Sequence, residues 1–237
     1  MKICALDTET TGLNVEKDRV TEWGIVLYDV AARQPVRISG FLMKSDIFIS
    51  SEIEQLTGIT NEMLSTYGVE PGPALRAVNQ LAAQADLFLA HNAPFDRGFY
   101  EAECKRQKVE ICKKPWADSR TDLPPEAYKK GKSASLRYLC ADHNFLPPVS
   151  HRAVGDVLAM LQLLSMYDID TVIKRSQIPN VEIKASVTYD ERHLAKEFGF
   201  YWRPETKIWF KPIKLSEVEE EKKKCPFPVI LLEKKCQ

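Results

Sequence analysis

Four apolar residues, Ile3-Cys4-Ala5-Leu6, run directly into the polar stretch Asp7-Thr8-Glu9-Thr10-Thr11-Gly12. A short continuous apolar run bounded by turn-forming residues reads as a buried strand, so the chain has to build a sheet whose interior strand delivers acids to its own C-terminal end. Residues two apart on extended backbone project to the same side, which lets Asp7 and Glu9 face one site. Taken alone, an acid pair after a strand is more often a solvated turn, and the rest of the chain has to decide.

Val20 to Val30 reads as a second strand, with Trp23, Ile25 and Leu27 alternating, and Val36 to Met43 as a third. Two chain reversals suit a meander. Short helical pieces follow at Glu52 to Leu56 and Asn61 to Leu64, then a helix over Pro73 to Ala85, where Leu75, Val78, Leu81 and Ala82 share a face and the proline sits near the first turn. Asp86 to Ala90 is another short apolar strand, ending in His91-Asn92, and Phe95 to Gln107 reads as helix. Pro115 to Pro125 reads mostly as loop, with a short strand around Trp116-Ala117; helices are expected over Ser133 to Asn144 and Arg152 to Tyr167. Strands first, then helices alternating with strands, predict an α/β fold with a mixed sheet.

Composition shifts near Ser176 to Asn180, which divides the chain into a domain over residues 1–175 and a small aromatic and basic module with its tail over residues 181–237. Across the 237 residues, 33 Lys and Arg balance 33 Asp and Glu, so binding to nucleic acid has to come from a local basic surface. No run approaches the roughly 18 apolar residues of a membrane span, and Asp7 interrupts any N-terminal apolar region, which predicts a cytoplasmic protein with no membrane partner. The six cysteines form no C-x-x-C pair and read as reduced thiols; a structural zinc on Cys104, Cys112 and a histidine lacks the usual tight ligand spacing.

Two further pieces join the Asp7-x-Glu9 pair. Asn92-Ala93-Pro94-Phe95-Asp96 places an acid at the start of a helix after a strand, and His151-x-x-x-x-Asp156 places a histidine just before a helix and an acid on it. Singly, each has a bland reading as a helix-terminal or surface group. In this order and at these element ends, they resemble the DEDDh family, the DnaQ-like 3′–5′ exonucleases typified by the proofreading epsilon subunit of DNA polymerase III. The resemblance spans about residues 1–168 and rests on Leu6-Asp7-Thr8-Glu9-Thr10-Thr11-Gly12-Leu13, His91-Asn92-Ala93-Pro94-Phe95-Asp96 and His151-Arg152-Ala153-Val154-Gly155-Asp156. Where many relatives carry His-Gly-Ile-Thr, this chain has Leu56-Thr57-Gly58-Ile59-Thr60.

The resemblance implies a ribonuclease-H-like mixed sheet flanked by helices, followed by a small α+β module. It implies that Asp7, Glu9, Asp96 and Asp156 bind two metal ions and that Thr8, Thr10 and Leu13 line the pocket for the terminal nucleotide, with Asn92 either on the substrate backbone or orienting its own loop. Physical chemistry points the same way. Four converging acids repel one another unless cations lie between them, and hard oxygen donors select Mg²⁺ or Mn²⁺ over zinc. Two ions about 3.5–4 Å apart hold the attacking and leaving oxygens of a phosphodiester displacement, and His151 is the candidate general base.

The expected activity is a 3′–5′ exonuclease releasing nucleoside 5′-monophosphates from a free 3′ end, single-stranded or frayed, DNA favoured over RNA. A polymerase or repair complex is the expected partner. An exoribonuclease is the nearest alternative; a non-catalytic nucleic-acid-binding or polymerase-tethering protein is the alternative of another class, and five intact catalytic positions speak against it. The basic run Lys129-Lys130-Gly131-Lys132 before Ser133 suits phosphate contact or simple solvation. The C-terminal unit, with Tyr189, Ala195-Lys196 and the hairpin around Trp202 and Trp209, resembles a small module appended to varied DNA-handling proteins. Between Ile183 and Pro212 it carries six Lys or Arg against four Asp or Glu, so its aromatics are either base-stacking platforms or a very small core.

Overall fold

The computed structural model describes residues 1–128, 134–147 and 149–232. The basic run at 129–132 and Ser133 lie outside the described residues. Five strands, β1 (Lys2–Thr10), β2 (Val20–Asp29), β3 (Gln34–Leu42), β4 (Leu87–Ala90) and β5 (Trp116–Asp118), form a sheet in the order β3-β2-β1-β4-β5. The first three pair antiparallel, and β1, β4 and β5 run parallel, giving the expected mixed sheet.

β1 is longer than its apolar run. It continues through the acids to Thr10 because the ladder with β2 holds it extended, with Asp7 opposite Gly24 and Glu9 opposite Glu22. Asp7 and Glu9 are therefore strand residues on one face, not members of a turn.

Helices cover both faces, and the two-residue period of the strands divides the core accordingly. Cys4, Leu6, Trp23, Ile25 and Leu27 pack on α3 (Pro71–Ala83) and α4 (Ala93–Gln107) through Leu75, Val78, Phe99 and Tyr100. Ile3, Ala5, Val26 and Tyr28 pack on α6 (Ala153–Ser165) through Val157, Met160, Leu161 and Leu164, with α5 (Leu136–Asp142) and α7 (Ile169–Ser176) completing that layer. Two short helices, α1 (Ser51–Thr57) and α2 (Asn61–Tyr67), lie between β3 and α3. Glu9 and Asp156 thus come from facing elements, while Asp96 approaches from the first turn of α4 on the opposite face.

A second sheet, order β7-β8-β6-β9, is built from β6 (Asn180–Ala185), β7 (Tyr201–Arg203), β8 (Ile208–Lys214) and β9 (Val229–Leu232), all antiparallel. With α8 (Arg192–Glu197) and α9 (Val218–Lys224) it encloses a small core of Ile183, Ala185, Ala195, Phe200, Val218 and Phe227. No helix among the described residues is long and apolar enough to cross a membrane.

Candidate active site

The acids gather at the C-terminal ends of β1 and β4. Glu9, His151 and Asp156 each bring a potential ligand atom to within 4.8 Å of the others. Asp7 and Asp96 stand outside that tight group but are close enough to act on it electrostatically. Burial first, then Asp96, Glu9, Asp156 and Glu22, push Asp7 well above the ordinary carboxylate range. Burial, followed by Asp156, Glu22 and Asp96, pushes Glu9 up to about 8, against the pull of Arg152. Asp96 rises to about 7, again chiefly through burial, although the Thr8 hydroxyl donates to its Oδ1 at 2.9 Å. Asp156 is raised by burial while the His151 backbone N–H, 3.0 Å from Oδ2, works the other way.

Among the described residues, the Asp7 and Glu9 carboxylates have no hydrogen bond or ion pair. Closely spaced carboxylates left unneutralised are costly, and a divalent cation would relieve them. The donor set is oxygen-rich with one imidazole at its edge, so the residues present fit a hard divalent metal. Cys104 is buried and Cys112 partly buried, and neither belongs to a candidate metal cluster among the described residues, so the zinc alternative finds no support.

His151 holds its ring beside the acids with a left-handed backbone, φ 59°. The next residue, Arg152, N-caps α6, and Gly24 allows that helix end to lie directly on β2: a Cβ there would stand 2.3 Å from the Ala153 carbonyl carbon. Thr8 is committed to Asp96, and the Thr10 hydroxyl donates to the Gly12 carbonyl at 2.5 Å. Leu13 is 85% exposed, which excludes a role as a buried anchor of the loop. Asn92 has φ 77° at the N-cap of α4; its backbone N–H donates to Asp118 Oδ1 at 2.9 Å and its side-chain oxygen accepts from Arg120 at 3.2 Å. Its contacts orient its own loop. Thr57 caps the end of α1 internally, its hydroxyl donating to the Ile53 carbonyl and accepting from the Ile59 N–H.

Two site-shaping residues were not legible as such. Glu22 is buried in β2 and takes the Arg152 guanidinium at 2.7 Å and the Ala153 N–H at 2.8 Å. The available signal was an acid embedded between Val20 and Trp23 in an otherwise apolar strand. Asp118 has only its position at the end of β5 to mark it.

Residues 4–164 match the RNase_T model, described as exonuclease, and residues 181–232 match a domain of unknown function, DUF8626. The chain is 30% identical over 165 residues to DNA polymerase III PolC-type of Bacillus subtilis, covering 67% of this chain and 11% of that protein. It is 33% identical over 110 residues to DNA polymerase III subunit epsilon of Treponema pallidum, covering 44% of this chain and 48% of that protein. The chain therefore spans about a tenth of the first relative and about half of the second. Among solved structures, the zinc-bound E. coli ExoI–ssDNA complex superposes with a TM-score of 0.63 at 15% identity, covering 78% of this chain and 48% of that one. A 3′-exonuclease that recognises the histone mRNA stem-loop gives 0.56 at 14% identity, covering 70% and 62%. With two thirds of its length matched by one family model, and with the ribonuclease-H-like sheet and the acids at its strand ends in place, the chain belongs to the RNase_T exonuclease family, the DnaQ-like 3′–5′ exonucleases.

Proposed function

We propose that this chain removes nucleoside 5′-monophosphates from the 3′ end of DNA, single-stranded or frayed, with Asp7, Glu9, Asp96 and Asp156 holding two divalent ions, Mg²⁺ or Mn²⁺. The observation that carries this reading is the convergence of those carboxylates without cationic partners for Asp7 and Glu9, at a site edged by His151. Two bound divalent ions supply positive charge to the attacking and leaving oxygens of an in-line displacement. The chain's own groups do the rest. The His151 imidazole takes the proton of the attacking water, and Asp156, tied to the His151 backbone, keeps the histidine at the site. Thr8 fixes Asp96, Thr10 fixes the turn at Gly12, and exposed Leu13 packs against the terminal base. Asn92 shapes the floor under the substrate backbone.

DNA is favoured because the relatives are DNA polymerase III proteins and a structural neighbour is an ssDNA complex. The same relatives make a polymerase or repair complex the proposed partner. The observation favouring RNA is the likeness to the histone mRNA exonuclease. The division of labour follows the two sheets: residues 1–175 carry catalysis and residues 181–237 are accessory.

A product time course on matched DNA and RNA oligonucleotides, labelled at either end, with Mg²⁺, Mn²⁺ or EDTA, tests the reading. Stepwise shortening of 5′-labelled DNA with early release of a 3′ label, abolished by EDTA, is expected. Faster shortening of RNA would transfer the activity to the exoribonuclease reading, and no hydrolysis of either polymer would end it.

A further inference from the structure

Bonds between the C-terminal module and the exonuclease domain gather around Thr121 and Asp122, after β5, and Arg175 of α7. Lys214, the last residue of β8, is almost completely buried, its ammonium 2.5 Å from Oδ1 of the equally buried Asp122 and 3.2 Å from the Ile178 carbonyl. Asn180 donates to the Thr121 hydroxyl at 3.2 Å. Arg175 reaches both the Asp122 carbonyl, at 3.1 Å, and Glu217 before α9, at 2.5 Å.

From Asp122 the bonds lead to the active site. Oδ2 of Asp122 accepts the Asp118 N–H at 2.7 Å, and Oδ1 of Asp118 accepts the N–H groups of Asn92 and Arg120, both at 2.9 Å. Asn92 is the left-handed residue that starts α4, and Asp96 lies in the first turn of that helix. Each member is held by the next with a charged acceptor, the stronger and more directional kind of hydrogen bond. A buried ion pair is weak evidence for stability, because two apolar residues of similar size often serve as well. Here the pair is the point where one unit's packing becomes another's loop geometry.

We propose that Lys214 is a positioning residue through which the docked C-terminal module fixes the Asp118–Asn92 loop, and so sets how tightly the Asp96 side of the site binds a divalent cation. This assigns the module a bracing role, and it rests on the reading of Asp96 as a metal ligand.

Calorimetric titration of Mn²⁺ into the full chain, alongside thermal melts, tests it. Lys214→Met should weaken Mn²⁺ binding by about 10-fold or more, the usual scale for residues that orient ligands. Lys214→Arg, which keeps the charge, should restore most of the affinity. Asp118→Ala leaves the Lys214–Asp122 pair intact and should weaken Mn²⁺ similarly, so it carries the test if Lys214→Met does not fold. Val78→Ala, on the core face of α3, should lower the melting temperature without changing Mn²⁺ affinity. Unchanged affinity in Lys214→Met and Asp118→Ala, while Asp96→Asn weakens binding, would overturn the coupling alone. Unchanged affinity in Asp96→Asn would remove the ligand assignment and the proposal with it. Equal weakening in Val78→Ala would show that the loss follows general destabilisation, and would also overturn it.

Discussion

Arg152 clamps Glu22 from 130 residues away in sequence, Nη2 lying 2.7 Å from Oε1 and Nε 3.1 Å from Oε2. The same carboxylate accepts the Ala153 N–H, so one strand residue holds the N-terminus of α6. His151 precedes that clamp by one residue and Asp156 follows it by four. Glu22→Gln keeps the shape and one acceptor but removes the charge. It should lower stability by about 1.5–3 kcal/mol, the range for hydrogen bonds to charged groups, and reduce the rate by letting His151 and Asp156 drift. Denaturant unfolding and steady-state hydrolysis check this; an unchanged rate with lowered stability would leave Glu22 a purely structural residue.

Asp7 separates activity from stability. Its carboxylate is crowded by other acids and has no hydrogen-bonding partner among the described residues, so in metal-free protein Asp7→Asn should leave the melting temperature unchanged or raise it. Hydrolysis should fall by at least about 100-fold, the scale on which one charge-stabilising group contributes. Near-native turnover in Asp7→Asn would sink the four-carboxylate site.

The same crowding fixes the sign of the pH dependence. Glu9 and Asp96 are lifted from ordinary values of 4.5 and 3.8 to about 8 and about 7, so the folded chain binds their protons more tightly than the unfolded chain does. Metal-free stability is then fullest at low pH with respect to these groups and declines as pH rises from about 4 to about 8. Divalent cations bind the deprotonated form and should flatten that decline. Melting curves across this range, with EDTA and with Mg²⁺, test it; a metal-free melting temperature that climbs towards pH 8 would contradict the cluster's electrostatics.

Much of this site was legible because its chemistry lies at element ends marked by abrupt changes from apolar to polar residues, as at Leu6-Asp7 and Ala90-His91. What escaped depends on pairing between distant segments. The extension of β1 through Thr10 follows from its ladder with β2, and the Glu22–Arg152 clamp joins residues whose proximity no local pattern encodes. The helix α7 carries only Ile169 and Val172 as buried residues, too few for a visible period, and is started by the Asp168 carboxylate accepting the Thr171 N–H. Trp202 and Trp209 are direct partners across β7 and β8, with ring centroids 5.6 Å apart; Trp209 packs beside the small core, which favours the core reading for it, whereas Trp202 is 47% exposed.

His151 offers the sharpest test of mechanism, because its backbone and its ring make separable contributions. With φ 59° it occupies a conformation that asparagine tolerates and β-branched residues resist, so His151→Asn should preserve the turn and the N–H donated to Asp156. Only the imidazole is lost. Proton transfer belongs to the transition state, so single-turnover hydrolysis should slow by about 10²–10⁴-fold while the dissociation constant for a 3′-ended oligonucleotide, measured in Ca²⁺, stays close to that of the native chain. His151→Val, which strains the left-handed turn, should in addition disturb Asp156 and weaken Mn²⁺ binding. If His151→Asn weakened oligonucleotide binding but left the chemical step unchanged, the histidine would be a substrate contact and the water's proton would have to leave by another route.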